Sequence, residues 1–238
     1  MDAEDITLET VDGPMPAHVA RPAGPPRGGI IVVQEAFGVT THIEDLTHRL
    51  AEVGWLAVAP ALFHRIGSPA FAYDDLKPVM PAMGSLTSES IANDIAATLG
   101  FLEAEGQPAP MSGIVGFCMG GSVTLITATQ YALGAAVTFY GGGLRDGRFG
   151  FPGLIDLAPG LRTPWLGLFG DLDKGIPSED VEVLRTAAST AKTETEIVRY
   201  ADADHGFNCN DRPAVYNERA ASDGWQRMLA WFDAHIAS

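Results

Sequence analysis

Short runs of apolar residues alternate along this chain with segments whose apolar positions recur every three or four residues. The first run, residues 30–33, is Ile-Ile-Val-Val and has no polar alternation, which is typical of a strand buried on both faces. Residues 41–53 then show helical spacing, and Thr41 and Glu44 have the spacing of a capping box. The same reasoning predicts further strands at residues 55–59, 113–117, 135–140, 165–169 and 194–200, and helices at 91–102, from 119, from 177 and at 225–236.

This alternation of strands and helices predicts an α/β fold, with a mainly parallel, twisted sheet that is covered by helices on both faces. Residues 6–21 form a candidate N-terminal hairpin, and residues 1–238 are interpreted as one domain. In such a sheet, sites lie beyond the carboxyl ends of the strands. Two long connections, residues 61–87 and 141–163, follow strand ends and are therefore expected to wall a pocket.

Composition narrows the possible partners. Of the 238 residues 46% are hydrophobic, and 15 Lys and Arg oppose 30 Asp and Glu, for a formal net charge of −15. A nucleic-acid partner is not expected, because neutralising phosphates needs a basic face. An anionic membrane surface is disfavoured for the same reason.

Cysteine usage and the N-terminus predict a soluble protein of a reducing compartment, with the cytoplasm as the expected location. The chain has two cysteines, too few for a disulfide framework, and its first residues lack the basic and apolar regions of a signal peptide. The longest apolar stretch is too short to span a bilayer. A cysteine in such a protein is more often a working or buried thiol than half of a disulfide bond.

One predicted strand-to-helix turn carries candidate chemistry. The sequence Gly116-Phe117-Cys118-Met119-Gly120-Gly121 has the G-x-nucleophile-x-G pattern of a nucleophile elbow, with cysteine as the nucleophile. The following helix N-terminus favours a thiolate, and the N–H of Met119 can face a developing oxyanion. The alternative is that Cys118 is a buried structural cysteine in a glycine-rich turn.

A nucleophile elbow predicts an acid after a later strand and a histidine after the last strand. Asp171 and Asp173 follow the strand at 165–169, and His205 follows the strand that ends at Tyr200. The spacing from Gly170 favours Asp173 over Asp171 as the acid. Cys118, His205 and Asp173 are therefore the candidate triad, with His205 holding the proton that Cys118 loses.

Glu35 is a carboxylate directly after a predicted central strand, where charged residues are rare unless paired. It is interpreted as a functional residue, with a strand-end residue reaching solvent as the alternative. The histidines lack metal-ligand spacing, and no phosphate-binding lysine accompanies the glycine run at 141–143. No cofactor and no metal are therefore expected.

The chain resembles the dienelactone hydrolase family of the α/β-hydrolase fold. The motifs that carry the resemblance are Val33-Gln34-Glu35-Ala36-Phe37-Gly38, Gly116-Phe117-Cys118-Met119-Gly120-Gly121, Gly170-Asp171-Leu172-Asp173-Lys174-Gly175-Ile176-Pro177 and His205-Gly206-Phe207, with Phe139-Tyr140-Gly141 also fitting. These motifs follow one another in the family's order across most of the chain.

The resemblance implies a Cys-His-Asp hydrolase that opens small esters or lactones through a thioester. It implies that Glu35 contacts the resting thiol of Cys118 and helps to generate the thiolate when substrate binds. It also makes the N–H of Ala36 the second oxyanion donor, beside that of Met119. Two alternatives use the same fold: an acyltransferase with the same triad, and a ligand-binding protein without turnover.

The expected substrate is a neutral ester or lactone. Family members that act on dienelactone hold its carboxylate with arginines and a tyrosine. One of those arginines lies four residues past the histidine, and that position is Cys209 here. The other basic candidates have no positional support: Arg65, Lys77, Arg145, Arg148 and Arg212.

Overall fold

Within residues 2–236, which the computed structural model describes, eight strands form one sheet in the order β1-β2-β4-β3-β5-β6-β7-β8. The strands are β1 (Asp2–Thr10), β2 (Gly13–Arg21), β3 (Gly29–Val33), β4 (Leu56–Pro60), β5 (Ser112–Phe117), β6 (Ala135–Phe139), β7 (Trp165–Gly170) and β8 (Thr195–Tyr200). Strands β3 to β8 are parallel, and the β1–β2 hairpin joins antiparallel to β4. The predicted mainly parallel sheet and the hairpin are confirmed.

The α-helices of these residues lie between the parallel strands, in the long connections and after the last strand. They are α1 (Thr41–Glu52), α2 (Val79–Gly84), α3 (Ser88–Ala104), α4 (Met119–Gln130), α5 (Leu154–Leu157), α6 (Ser178–Ala188) and α7 (Glu218–His235). The two short helices, α2 and α5, lie within the connections at 61–87 and 141–163, for which no helix was predicted. No helix within residues 2–236 is both long and apolar enough to cross a bilayer.

The central strands are apolar along their whole length because both of their faces are covered. Every residue of β3, β4, β5, β6 and β7 is buried. Only β1, β2 and β8, which lie toward the sheet edges, mix buried with exposed positions. This agrees with the rule that parallel strands covered by helices are continuous hydrophobic runs.

The predicted capping box at the start of α1 is wrong. The N-cap residue is Thr40 rather than Thr41, and it makes no side-chain capping bond. The Thr40 hydroxyl lies 3.1 Å from the phenol oxygen of Tyr73. It is therefore hydrogen-bonded to a distant residue instead of to the first turn of the helix. A capping box does occur at α3, between Thr87 and Ser90.

A buried ion-pair network anchors the start of the connection at 61–87. Arg65 donates to both carboxylate oxygens of the fully buried Asp94, at 2.9 and 2.8 Å. His64 Nε2 lies 3.1 Å from the same carboxylate. Arg65 is thus committed to a structural partner, which removes it from the candidates for binding a substrate.

The register of the sheet determines which strand ends meet. Val33 of β3 pairs with Gly116 of β5, so the residues two positions further on, Glu35 and Cys118, leave the sheet side by side. On the other side of β6, Gly170 of β7 pairs with Tyr200 of β8. All the candidate site residues therefore follow the carboxyl ends of parallel strands.

Candidate active site

Cys118 occupies a strained turn between β5 and α4. Its φ is 55° and its ψ is −113°, a conformation that residues with a Cβ rarely adopt. The flanking glycines are sterically required: a Cβ on Gly116 would lie 2.0 Å from the carbonyl oxygen of Gly120. A Cβ on Gly120 would in turn lie 2.4 Å from the carbonyl oxygen of Val33. This is the geometry of a nucleophile elbow, which lifts the side chain clear of the sheet.

The environment of Cys118 favours negative charge. The residue precedes the first turn of α4, whose unpaired N–H groups carry partial positive charge, and its side chain is partly exposed. Among the backbone hydrogen bonds of residues 2–236, neither the N–H of Met119 nor that of Ala36 has an acceptor. Both residues are buried.

His205 and Asp173 form a short hydrogen bond. Nδ1 of His205 lies 2.6 Å from Oδ2 of Asp173, and Oδ1 of Asp173 accepts the N–H of Gly175 at 2.8 Å. Asp173 is buried, whereas 30% of the His205 side chain is exposed. The competing carboxylate, Asp171, lies 2.7 Å from Nε of Arg199 instead.

The charged form of His205 is favoured. Burial opposes protonation of the imidazole, but the Cys118 thiolate and the hydrogen bond to Asp173 outweigh it and raise the pKa of His205 to about 10. The thiolate of Cys118 is the larger of these two favourable influences. The imidazole of His205 is therefore held in its charged form near neutral pH.

Glu35 is fully buried, and only one of its two carboxylate oxygens has a hydrogen-bond partner among the described residues. The Tyr73 hydroxyl donates to its Oε2 at 3.1 Å, while its Oε1 has no hydrogen-bond partner among the described residues. Gln34 braces the same turn, since its amide donates to the Glu35 carbonyl at 3.3 Å and accepts the N–H of Leu62 at 3.0 Å. In this geometry the hydrogen-bond partner of the carboxylate is a phenol, where the resemblance implies the Cys118 thiol.

The segment around Tyr73 packs directly on the turn that carries Ala36. The N–H of Phe71 donates to the carbonyl of Phe37 at 2.8 Å, and the rings of Tyr73 and Phe37 meet edge to face with centroids 4.6 Å apart. A Cβ on Gly38 would lie 2.3 Å from the carbonyl oxygen of Pro69. Sequence reasoning missed Tyr73 as a site residue, because a single tyrosine in a long loop has no periodic or motif signal.

Cys209 and Arg212 also reach the site. Cys209 is buried, and burial together with the nearby Glu35 carboxylate raises its pKa to about 11, which keeps it a neutral thiol. The guanidinium of Arg212 lies 5.6 Å from the ring centroids of both Phe37 and Tyr73 and has no ion-pair partner within residues 2–236. A Cβ on Gly206, next to His205, would lie 2.7 Å from Nη1 of Arg212.

The other basic candidates have different neighbours. Arg145 pairs with Asp180, at 2.6 Å, and Lys77 is exposed. The guanidinium of Arg148 packs against the backbone of Gly142. Arg212 is the candidate that lies beside Phe37, Tyr73 and Gly206, although its sequence position did not indicate it.

A mainly parallel sheet with an elbow after β5, a carboxylate after β7 and a histidine after β8 defines an α/β-hydrolase. The profile of the dienelactone hydrolase family matches residues 15–236. The chain belongs to this family and is an ester or lactone hydrolase.

Relatives of known sequence and structure agree with this assignment. A Salmonella typhimurium protein named "Putative carboxymethylenebutenolidase" is 40% identical over 222 residues, which cover 92% of this chain and 82% of that protein. A Methylorubrum extorquens protein of the same name is 35% identical, over 97% of this chain and 80% of its own. The crystal structure of a "Putative Dienelactone Hydrolase" from Klebsiella pneumoniae has a TM-score of 0.89 and 39% identity, with 98% of each chain covered.

Proposed function

We propose that this protein hydrolyses small carboxylic esters or lactones through a Cys118–His205–Asp173 triad and a thioester acyl-enzyme. The observation that carries the proposal is the 2.6 Å hydrogen bond of His205 to Asp173, in a chain whose Cys118 stands on a strained elbow. Asp173 orients the imidazole and stabilises its charged form, and His205 in turn stabilises the Cys118 thiolate.

The reaction has two halves. The thiolate of Cys118 attacks the substrate carbonyl, and the N–H groups of Ala36 and Met119 stabilise the resulting oxyanion. The carbon–oxygen ester bond breaks as His205 gives its proton to the leaving oxygen, and a thioester on Cys118 remains. Water then attacks the thioester, His205 accepts a proton from that water, and the acid product leaves as Cys118 returns to the thiolate.

Glu35 is proposed to assist in forming the thiolate. Its position two residues beyond β3, beside the strand end that carries Cys118, supports this role. The Tyr73 hydrogen bond holds the carboxylate in the resting geometry, and its second oxygen has no partner to restrain it. Movement of the Tyr73 segment on substrate binding would therefore release Glu35 toward the thiol.

A direct experiment is to assay Cys118→Ala and Cys209→Ala with aryl acetates and small lactones. We expect Cys118→Ala to abolish turnover and Cys209→Ala to retain it, because Cys209 is buried as a neutral thiol. Intact-protein mass spectrometry during turnover should find an acyl adduct on Cys118 of the wild type. Full activity in Cys118→Ala would refute the proposal.

Product analysis separates hydrolysis from the alternatives. With added alcohol or thiol acceptors, a hydrolase yields mainly the free acid, whereas an acyltransferase yields mainly the transferred ester or thioester. A ligand-binding protein would return its ligand uncleaved. Predominant transfer or an absence of multiple turnover would each contradict a hydrolase.

The unpaired Arg212 changes the expected substrate. Its guanidinium beside the Tyr73 and Phe37 rings supports an acidic group on the substrate, in place of the neutral ester or lactone expected from the sequence. A guanidinium is well suited to a carboxylate, with which it makes paired hydrogen bonds. We therefore propose that carboxylate-bearing lactones or esters are preferred.

A further inference from the structure

One buried polar group near the site has no role in the steps above. Tyr140, the residue after β6, is fully buried, and its phenol oxygen has no hydrogen-bond partner among the described residues. An unpartnered hydroxyl in a protein interior is destabilising, and native structures contain few of them. A phenylalanine would fill the same space without that penalty, so the hydroxyl itself requires an explanation.

The backbone of Tyr140 is strained as well. Its φ is 40°, a value that bulky residues rarely adopt. Its N–H donates to the Leu168 carbonyl at 2.8 Å, and the next residue fits only as glycine, since a Cβ on Gly141 would lie 2.7 Å from the carbonyl carbon of Gly121. Backbone strain of this kind clusters at functional sites.

The ring of Tyr140 lies within the catalytic group of residues. Its centroid is 5.2 Å from that of His205, 5.1 Å from that of Phe207 and 6.3 Å from that of Phe117, which precedes Cys118. The charged or titratable groups that act on the phenol are Glu35, Cys209, Cys118 and Arg212. Burial, with the Glu35 carboxylate as the next cause, raises the pKa of Tyr140, so the phenol stays a hydrogen-bond donor at any working pH.

The same region holds an acceptor without a donor. Oε1 of Glu35 is buried and unpartnered, just as the hydroxyl of Tyr140 is. Neither atom is exposed to bulk solvent. A lone donor and a lone acceptor in one buried region are chemically complementary.

We propose that Tyr140 is a positioning residue whose hydroxyl donates to the Glu35 carboxylate during turnover, when that carboxylate leaves its resting bond to Tyr73. Once the thiol proton has passed from Glu35 to His205, the interaction disperses the negative charge of Glu35 beside the Cys118 thiolate and so limits repulsion between the two anions. This inference rests on the proposed function, in which Cys118 is the nucleophile.

The test compares Tyr140→Phe with the matched control Tyr200→Phe. Tyr200 also packs on Phe207, but its hydroxyl donates to Asp223 of α7 at 2.8 Å. In Tyr140→Phe we expect kcat for p-nitrophenyl acetate to fall about tenfold or more, as for loss of a hydrogen bond to a charged group, with little change in KM and no loss of Tm. Tyr200→Phe should show the opposite pattern, with a lower Tm and unchanged kinetics.

The rate of Cys118 alkylation by iodoacetamide is a second measurement. It would not change if Tyr140 had only a structural role. The rate reports the thiolate, so its pH profile should shift to higher pH in Tyr140→Phe and stay in place in Tyr200→Phe. Unchanged kcat and an unchanged alkylation profile in Tyr140→Phe would overturn the proposal and make Tyr140 an aromatic filler.

A double-mutant cycle identifies the partner. In a Glu35→Ala background, Tyr140→Phe should change the alkylation profile no further, because the acceptor is already absent. Additive effects would contradict the pairing. Since alkylation does not depend on turnover, these outcomes are distinguishable from failure of the proposed function, which Cys118→Ala tests separately.

Discussion

Asp173 holds His205 with one carboxylate oxygen, at 2.6 Å, and is itself held through the other oxygen by the Gly175 N–H. Both oxygens of this buried carboxylate thus have a hydrogen-bond partner. The imidazole of His205 therefore has a fixed orientation, with Nδ1 toward Asp173 and Nε2 available for the thiol and the substrate.

This arrangement predicts that Asp173→Asn lowers kcat by roughly 10³–10⁴-fold, since an amide cannot stabilise the imidazolium and favours the wrong tautomer. The matched control is Asp171→Asn, which removes only the partly exposed ion pair with Arg199 and should leave steady-state kinetics near wild type. Equal losses of kcat in the two variants would show that Asp173 is not the acid of the triad.

The raised pKa of His205 predicts a defined pH dependence of stability. Because the pKa is about 10 in the folded protein and 6.5 in the reference state, the folded state binds the extra proton between these values. The stabilisation from His205 is fully present below about pH 6.5 and is lost as pH rises through about 10.

Removing the thiolate should lower the titration midpoint of this histidine. In Cys118→Ala the largest favourable influence on the His205 charge is gone, so NMR of the imidazole should find a midpoint well below that of the wild type. A midpoint that is the same in both proteins would show that Asp173 alone sets the pKa.

The elbow glycines predict a severe folding defect on substitution. Gly116→Ala places a Cβ 2.0 Å from the Gly120 carbonyl, and both atoms belong to backbone that cannot move apart cheaply. We expect a loss of about 3 kcal/mol or more in the free energy of unfolding, measured by chemical denaturation, or failure to fold.

The control for this prediction is Gly100→Ala, in the exposed face of α3, where an added Cβ meets nothing within 4 Å. That change should raise the free energy of unfolding by up to about 1 kcal/mol, because alanine is the better helix former. A destabilised Gly100→Ala would indicate that the effect of Gly116→Ala is not specific to the elbow.

Arg212→Gln should alter specificity rather than chemistry. We expect kcat/KM for carboxylate-bearing lactones to fall about tenfold or more, and kcat/KM for neutral aryl acetates to stay within about twofold. Arg145→Gln, which changes an exposed cation paired with Asp180, is the control. A parallel loss for both substrate classes would assign Arg212 a structural role.

Much of the fold was predictable because burial leaves a direct pattern in parallel strands. The run at residues 30–33 lies within the fully buried β3, and the elbow and Asp173 each follow a fully buried strand, β5 and β7. His205 follows β8, the last strand of the alternating pattern. Local pattern and tertiary environment coincide at these positions, so the candidate site residues could be identified from the sequence.

The parts that sequence reasoning missed depend on contacts between distant segments. Tyr73 donates a hydrogen bond to Glu35, which is 38 residues away in the sequence. Thr40 makes no side-chain capping bond to α1, because its hydroxyl lies against that of Tyr73. The side chain of Arg212 lies against Gly206, the residue after His205. None of these positions belongs to a periodic segment, so only the packed structure reveals them.

The backbone hydrogen bond from Phe71 to Phe37 joins the Tyr73 segment to the turn that carries Ala36. Through this bond, the size of a substrate could affect the rate of its reaction. The carbonyl of Phe37 is one residue from Ala36, whose N–H is an oxyanion donor in the proposed reaction. An acyl group that displaces the Tyr73 segment further than the release of Glu35 requires would pull on this bond and tilt the donor away from the reacting oxygen. Oversized substrates should then bind but be turned over slowly. The Tyr73 segment would in this way select substrates by size through kcat rather than through binding.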